Sequence, residues 1–408
     1  MKAKITVAVV SRSNAIGGGA SRIAEELAFW LSNEGYHVTH FCAHVFGPLE
    51  KFQTHLYPEG YFGKISRATH RFTRKCGFNE IAPIEFFAVM HQILDRFDVI
   101  HFHDLYAAIS PLSLYLCSRK KPVVFTAHDC SCFTGGCIYP LMCRRYLKQC
   151  GKCPQLTSIG AFFDFTRVSL NINRFLAKSK DVRYVFPSDW LRNIASSSLT
   201  FANSPKVIPN GFSACKYVFR SKSVARRELG IRDEQRVIIV AAHYLADPRK
   251  GLSYALAAIE SIRDLDPLII FIGYPPQDLE DRLPGMRFWL AGFVKDRIKL
   301  GLLIAAADLF LFTSLQDNFP IMVQEALSAG TLVVGFAAGG VSEMVEHERD
   351  GRLCAPGDQV ALNRNLRNSL MPNGDPMFVD VARSSSNEKF DMNLFGQRHL
   401  ALYEEIVR

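Results

Sequence analysis

The chain has 408 residues, 48% hydrophobic and 21% charged, with a formal net charge of +9. That length allows two or three domains, and the apolar share excludes intrinsic disorder, a collagen-like repeat or a coiled coil as the main state. Residues 1–207 carry 25 Lys and Arg against 14 Asp and Glu, and the remainder 23 against 25, so the positive excess sits in the first half. Such asymmetry fits an anionic partner (phosphate, acidic lipid or nucleic acid) or a solubilising surface.

In chain order, Ile5–Val10 reads as a short strand, followed by Ile16-Gly17-Gly18-Gly19 and a helix over Ser21–Leu31, where Ile23, Leu27 and Leu31 share one face. His37–Ala43, Val99–His103, Val123–Ala127 and Val182–Phe186 are further strands, with helical stretches between several of them. A turn signal at Lys206-Val207-Ile208-Pro209-Asn210-Gly211 interrupts this rhythm. It restarts with strand Val237–Ala242, helix Tyr254–Ile262, and strands Leu268–Ile272, Phe288–Ala291 and Leu309–Thr313. Helix Val323–Ala329 and strand Thr331–Gly335 follow. The polar run Arg383–Lys389 reads as a loop, and Met392–Arg408 as an amphipathic helix.

The pattern predicts an α/β protein of two doubly wound domains. One spans 1–207 together with a crossover helix at 390–408, and the other spans 208–389. Ligands of such sheets bind at the carboxyl ends of strands, so the cleft between domains is the expected site. The most apolar stretch, Leu300–Leu315, is broken by Asp308 and falls short of the ~20 residues of a membrane span. The N-terminus lacks the pattern of a signal peptide, and the expected location is the cytoplasm.

Three motifs fall at predicted strand ends. Gly17-Gly18-Gly19 precedes a helix, where bare backbone and helix N–H groups favour phosphate; a plain tight turn would look the same. It is not a GxGxxG, so a dinucleotide fold is not supported. Arg249-Lys250-Gly251 puts two cations beside a helix start, suited to a diphosphate or to a solvated loop. Asp317 precedes Glu325 by eight positions, the first in a loop and the second on a helix. Such carboxylates can grip two sugar rings of one ligand, or be two surface acids.

The ordered set resembles glycosyltransferase family 4, retaining enzymes with the GT-B fold. Asp317 to Glu325 is similar to the family's E-x7-E motif, with Asp in place of the first Glu. Asp308–Ser314 resembles its lead-in strand, and Ala326–Val334 with Gly339–Val345 resembles the run that follows. Val207–Phe212 resembles the strand and turn that open the second domain, and Tyr403–Ile406 the closing helix.

The resemblance implies that Gly17, Gly18, Gly19, Arg249 and Lys250 hold a nucleotide diphosphate. Glu325 would bind ribose hydroxyls. Asp317, with Asn318 and Phe319, would hold the sugar, and Phe293 would pack on the base. His243 or Tyr244 is an alternative to Arg249 as the family's arginine position. The shorter arm of Asp317 retracts the carboxylate by about one C–C bond, which is expected to retune or weaken sugar contacts and leave activity intact.

Six of the eleven cysteines fall between 130 and 153. Cys150-x2-Cys153 has the spacing of a zinc half-site, and Cys137 with Cys143 would complete a closed structural site. The alternatives are reduced buried thiols or redox disulfides. The segment also resembles the His-Asp…Cys-x-x-Cys-Pro insert of a family branch that builds bacterial exopolysaccharide and lipopolysaccharide, with Cys132 and Tyr146 at its Trp positions. In that resemblance His128 contacts the transferred sugar. Asp129 orients it or serves the acceptor, and His103 and Asp104 line the acceptor pocket.

The function so implied is sugar transfer from a UDP- or GDP-linked donor to a hydroxyl of a lipid-linked oligosaccharide, with no cofactor required. The glycine loop and cations would stabilise the departing diphosphate. The basic stretch Gly63–Lys75 mixes cations and apolar residues and suits an anionic membrane surface. No nucleic-acid recognition motif is present. A nucleotide-sugar 2-epimerase and a non-catalytic nucleotide- or glycan-binding protein are the alternative readings.

Overall fold

The structure is a computed structural model that describes residues 4–57, 61–75, 80, 82–106, 108–156, 163–371 and 377–407. It divides into two compact units, Met1–Gly211 with Met392–Arg408, and Phe212–Asp391.

The first unit is built on strands β1 (Thr6–Ser13), β2 (His37–His44), β3 (Gln53–His55), β4 (Val99–His103), β5 (Val123–Thr126), β6 (Val182–Phe186) and β7 (Lys206–Val207). They form a parallel sheet in the order β3-β2-β1-β4-β5-β6-β7. Helices flank it because each strand must cross over to run parallel to the last. Val7–Val10 and all of β4 are buried, as a two-face-covered parallel sheet requires. The strand order reverses between β1 and β4, the place where such sheets open a crevice at their carboxyl ends.

The second unit contains β8 (Val237–Tyr244), β9 (Leu268–Tyr274), β10 (Arg287–Gly292), β11 (Leu309–Phe312), β12 (Leu332–Phe336) and β13 (Gly351–Cys354). Its parallel order is β10-β9-β8-β11-β12-β13, with the reversal between β8 and β11. Asp308, just before β11, is a structural tie. It accepts from Val237 N at 2.8 Å and pairs with Lys222 at 3.0 Å and Arg226 at 2.9 Å.

Two expectations change. The Val207 strand does not open the second domain. It pairs with β6 at the edge of the first sheet, and Ile208 N donates to Phe186 O at 2.9 Å, which satisfies an otherwise bare strand edge. Residues 383–389 are not a loop but the end of the helix Met377–Lys389. Their polarity is matched internally: Ser385 Oγ and Lys389 Nζ both donate to the buried Asp350 carboxylate, at 2.5 and 2.9 Å. Arg383 donates to Ala329 O at 2.9 Å.

The closing helix Met392–Val407 belongs to the first unit and buries Phe395, His399, Leu402 and Tyr403. Gly396 lets it lie flat on Trp30 of the helix Gly19–Asn33; a Cβ there would come within 2.2 Å of the indole. Trp30 Nε1 donates to Asn393 Oδ1 at 3.0 Å.

Candidate functional site

In the second unit the reactive residues gather at the ends of β8 and β11, beside the order reversal. Asp247 accepts from Arg249 N at 2.9 Å and starts a single turn, Pro248–Lys250. Gly251 ends it with φ +67°, and a Cβ there would sit 2.2 Å from Thr313 O, so only glycine allows this turn to press on β11's exit. Thr313 Oγ1 donates to Lys250 O at 3.0 Å, and Leu315 N to Arg249 O at 2.8 Å.

These contacts aim both cations at one carboxylate. Lys250 Nζ lies 2.7 Å from Asp317 Oδ2, and Arg249 Nη1 lies 3.2 Å from the same oxygen and 3.0 Å from Gln316 O. Asn318 N donates to Asp317 Oδ1 at 3.0 Å. Burial by itself would raise the Asp317 carboxyl, but the charges of Lys250 and Arg249 outweigh it and hold the group below the ordinary carboxylate value. The three residues expected to serve a diphosphate and a sugar are therefore together, with both cations on the Asp317 carboxylate and Asp247 3.4 Å from Arg249 as a second one. Asn318 is buried, and Phe319 is buried against Phe390 with ring centroids 5.7 Å apart.

Glu325 sits on the helix Ile321–Ala329 and is buried. Tyr217 Oη donates to its Oε1 at 2.5 Å. Tyr217 stacks on Phe219 at 5.2 Å with the planes 4° apart and leans on Phe212. Tyr217 has no signal in the sequence: it lies 108 positions from its partner.

Phe293 follows β10 and joins an aromatic set at the carboxyl ends of β8, β9 and β10. It stacks on Tyr274 at 5.5 Å and 6°, and His243 meets its edge at 5.0 Å. Tyr244 stacks on Tyr274 at 5.5 Å, and both tyrosines are exposed, at 60% and 46%. Exposed ring faces suit a planar ligand. Their position at strand ends was the only sequence signal for Tyr274.

In the first unit Gly17 and Gly18 form the turn before the helix, and Gly19 is the helix's first residue. A Cβ on Gly17 would strike Ser13 Oγ, whereas Gly18, with φ +142°, faces open space. Ala15 N donates to Glu25 at 2.9 Å and Asn14 Nδ2 to Phe46 O at 2.7 Å, so the turn is braced from below.

At the ends of β4 and β5, His103 Nδ1 and His128 Nε2 are 3.0 Å apart. His103 is buried and rests on His101, with ring centroids 4.1 Å apart. His101 bonds Tyr403 at 2.6 Å and Thr126 at 2.8 Å, and His399 packs behind it. Burial keeps every ring neutral: it pushes His128 down to about 3 and His399 to about 4, and holds His101 and His103 well below the usual value. The sequence marked Tyr403 and the closing helix but not this pairing, because His101 and Tyr403 lie 302 positions apart.

Asp104 follows His103 with φ +50°, a strained backbone for a residue with a Cβ. Burial, then the charge of Asp129, raises its carboxyl to about 7, against opposing pulls from Arg12 and Arg74. Asp129 Oδ1 accepts from Ser131 N at 2.7 Å.

The four cysteines of the expected zinc site lie in the loops between β5 and the helix Thr166–Ala177. Among the described residues no group of three or more His, Cys, Asp or Glu is arranged to hold a metal ion. Burial pushes the Cys137 and Cys150 thiols up to about 12 and about 11, so both are protonated at neutral pH. All four are free thiols.

The chain matches the family pattern "Glycosyltransferase Family 4" over residues 17–214 and "Glycosyl transferases group 1" over 235–371. It is 24% identical over 273 residues to an uncharacterized glycosyltransferase of Methanocaldococcus jannaschii, covering 63% of this chain and 62% of that protein. It is 23% identical to the lipopolysaccharide 1,2-N-acetylglucosaminetransferase of Salmonella typhimurium, covering 53% and 61%. The chain spans 44–62% of the length of the first curated relatives it matches. Among solved structures, sucrose-phosphate synthase of Thermosynechococcus elongatus aligns over 99% of both chains with a TM-score of 0.74 at 17% identity. Anabaena HepE in complex with UDP aligns over 98% and 100% with a TM-score of 0.66, also at 17%. The shared fold is the two-domain α/β GT-B type.

Proposed function

This chain belongs to the family 4 glycosyltransferases, and we propose that it transfers a sugar from a nucleotide-diphosphate donor to a hydroxyl of a lipid-linked oligosaccharide, with retention of configuration. The observation that carries this reading is the Arg249–Lys250–Asp317 cluster at the β8 and β11 ends, with Glu325 buried close by in sequence on the next helix. A diphosphate takes over the two cations from Asp317. Charge that develops as the glycosidic C–O bond breaks is then neutralised without solvent reorganisation, and no metal is needed for that task. Asp317, once released, is a hydrogen-bond acceptor for sugar hydroxyls. Glu325, already oriented by Tyr217, accepts from the ribose. The exposed rings of Tyr244 and Tyr274 with Phe293 offer π-faces to the base. HepE was crystallised with UDP and with UDP-glucose, which supports a uridine donor here.

On the first unit, Gly18 leaves its backbone open to phosphate, and His128, Asp104 and Asp129 stand at the neighbouring strand ends for sugar and acceptor. The helix Tyr61–Lys75 supports a membrane-associated acceptor. Its Ser66 and His70 point inward, while Lys64, Ile65, Arg71, Phe72 and Lys75 are exposed on one face. Among the described residues no helix is long and apolar enough to cross a membrane; the exposed basic and apolar face of this helix suits peripheral contact from the cytoplasm.

The test is thermal stability against UDP, GDP, ADP and TDP, free and sugar-linked, with Lys250→Ala and Glu325→Gln beside the wild type. A ligand at ~100 times its Kd stabilises by about 2.7 kcal/mol. One nucleotide should stabilise the wild type and fail to stabilise the variants. No response to any nucleotide at millimolar concentration would refute the donor-site assignment.

A further inference from the structure

We propose that His103 is a positioning residue that fixes the tautomer of His128, so that His128 carries its proton on Nδ1. The role in turnover rests on the reading above, in which His128 faces the transferred sugar; the tautomer itself does not.

The geometry follows from sheet register. His103 pairs with Thr126 across β4 and β5, and His128 lies two residues further on, so it returns to the face of the sheet that Thr126 occupies. That places His103 Nδ1 3.0 Å from His128 Nε2, with the rings stacked 5.2 Å apart at 25°. His103 is not free to turn away. Its ring lies on His101, which is tied at both nitrogens by Tyr403 and Thr126.

Two neutral imidazoles in contact share one proton across the gap. If His128 donates, both rings carry the proton on Nε2, and the Nε2–H of His103 is buried with no acceptor. If His103 donates, both rings carry it on Nδ1, and His103 Nε2 is a bare lone pair. Among the described residues His103 Nε2 has no hydrogen-bond partner, and it is fully enclosed, so one of these two states is imposed. A buried N–H without an acceptor is the rarer and more costly of the two. His103 is therefore the donor, and His128 Nδ1 is a proton donor to its surroundings rather than a base. This suits a group that steadies a sugar oxygen and does not take a proton from it.

The test uses the full chain labelled with 15N-histidine and long-range 1H–15N correlation at pH 7, with His128→Gln to assign the ring. The wild type should show His128 as the Nδ1–H tautomer. His103→Asn, whose side-chain amide donates from the place of Nδ1, should keep it, and His103→Leu should shift His128 to Nε2–H. In turnover of the nucleotide sugar, His103→Leu should lower kcat about 10-fold or more, because His128 then presents a lone pair and not an N–H to the sugar oxygen, with the donor KM unchanged. His103→Asn should restore kcat to within a few-fold. An Nε2–H signature for His128 in the wild type overturns the proposal, as does an Nδ1–H signature that survives His103→Leu. Should His103→Leu not fold, the wild-type spectrum alone still decides. The spectra need no turnover, so a chain that transfers no sugar but shows the Nδ1–H pattern refutes the functional reading and leaves this one standing.

Discussion

Replacing Asp317 with Asn separates the two jobs assigned to that carboxylate. In the ligand-free protein Asp317 holds Lys250 at 2.7 Å and Arg249 at 3.2 Å, with its own side chain only 11% exposed. The substitution keeps shape but removes the charge, and leaves Lys250 with a neutral acceptor and Arg249 with Asp247, at 3.4 Å, as its carboxylate. Hydrogen bonds to charged groups contribute about 1.5–3 kcal/mol, so a loss of about that size is expected. For a unit of this size each kcal/mol moves Tm by about 2–4 °C, so the fall is about 3–12 °C. The same change frees the cation pair for an incoming anion. Each 1.4 kcal/mol no longer needed to displace Asp317 is a tenfold gain in affinity, so free UDP should bind roughly tenfold more tightly. The sugar-linked donor should gain less, because it also loses the acceptor for its hydroxyls. Titration calorimetry with UDP and with the sugar nucleotide reads both terms. Unchanged UDP affinity, or equal gains for the two ligands, would refute the competition between Asp317 and diphosphate. Because the Asp317 carboxyl is held below its unfolded value, its contribution to stability is present above about pH 4 and is lost as pH falls through the folded value.

Asp104 has the opposite sign. With its carboxyl raised to about 7, the folded state binds the extra proton between about pH 4 and 7, so stability falls as pH rises across that window. Asp104→Asn should flatten that slope and stabilise the protein at pH 8, measured by urea unfolding; an unaltered slope would show that Asp104 is not the group responsible. Gly396→Ala drives a methyl into Trp30 and should cost about 1–3 kcal/mol, read as a lower unfolding midpoint with a perturbed indole fluorescence. Charge reversal at Lys64, Arg71 and Lys75 should cut binding to phosphatidylglycerol vesicles, and Phe72→Ser should cut it further; equal sedimentation with the wild type removes the membrane contact. Arg74 is left out because it is already engaged, over the Tyr106 ring at 4.4 Å and beside Glu80 at 3.5 Å.

Local signals carried much of the fold. Apolar runs of four to eight residues located most of the strands, because a buried parallel strand must be apolar on both faces. The Arg249-Lys250 pair and the Asp317/Glu325 spacing were legible for the same reason: each lies within a single loop or at one helix start. Where polarity was satisfied at a distance, the sequence misled. Residues 383–389 looked like a loop because their partner, Asp350, is buried more than thirty positions away. Val207–Phe212 looked like the strand and turn that open a new domain, because the edge strand Lys206–Val207 has only two residues and shows no period.

The sequence by itself determined two α/β halves, the strand ends where chemistry collects, and the residue types placed there. The tertiary structure alone decided which of those residues meet. Tyr217 reaches Glu325 across 108 positions, and Tyr403 reaches His101 across 302. His103 finds His128 because β4 and β5 are neighbours in the sheet order. Periodicity and turn chemistry are properties of short windows of chain, whereas the partner of a buried polar atom is set by strand order and register, which depend on the packing of the whole unit.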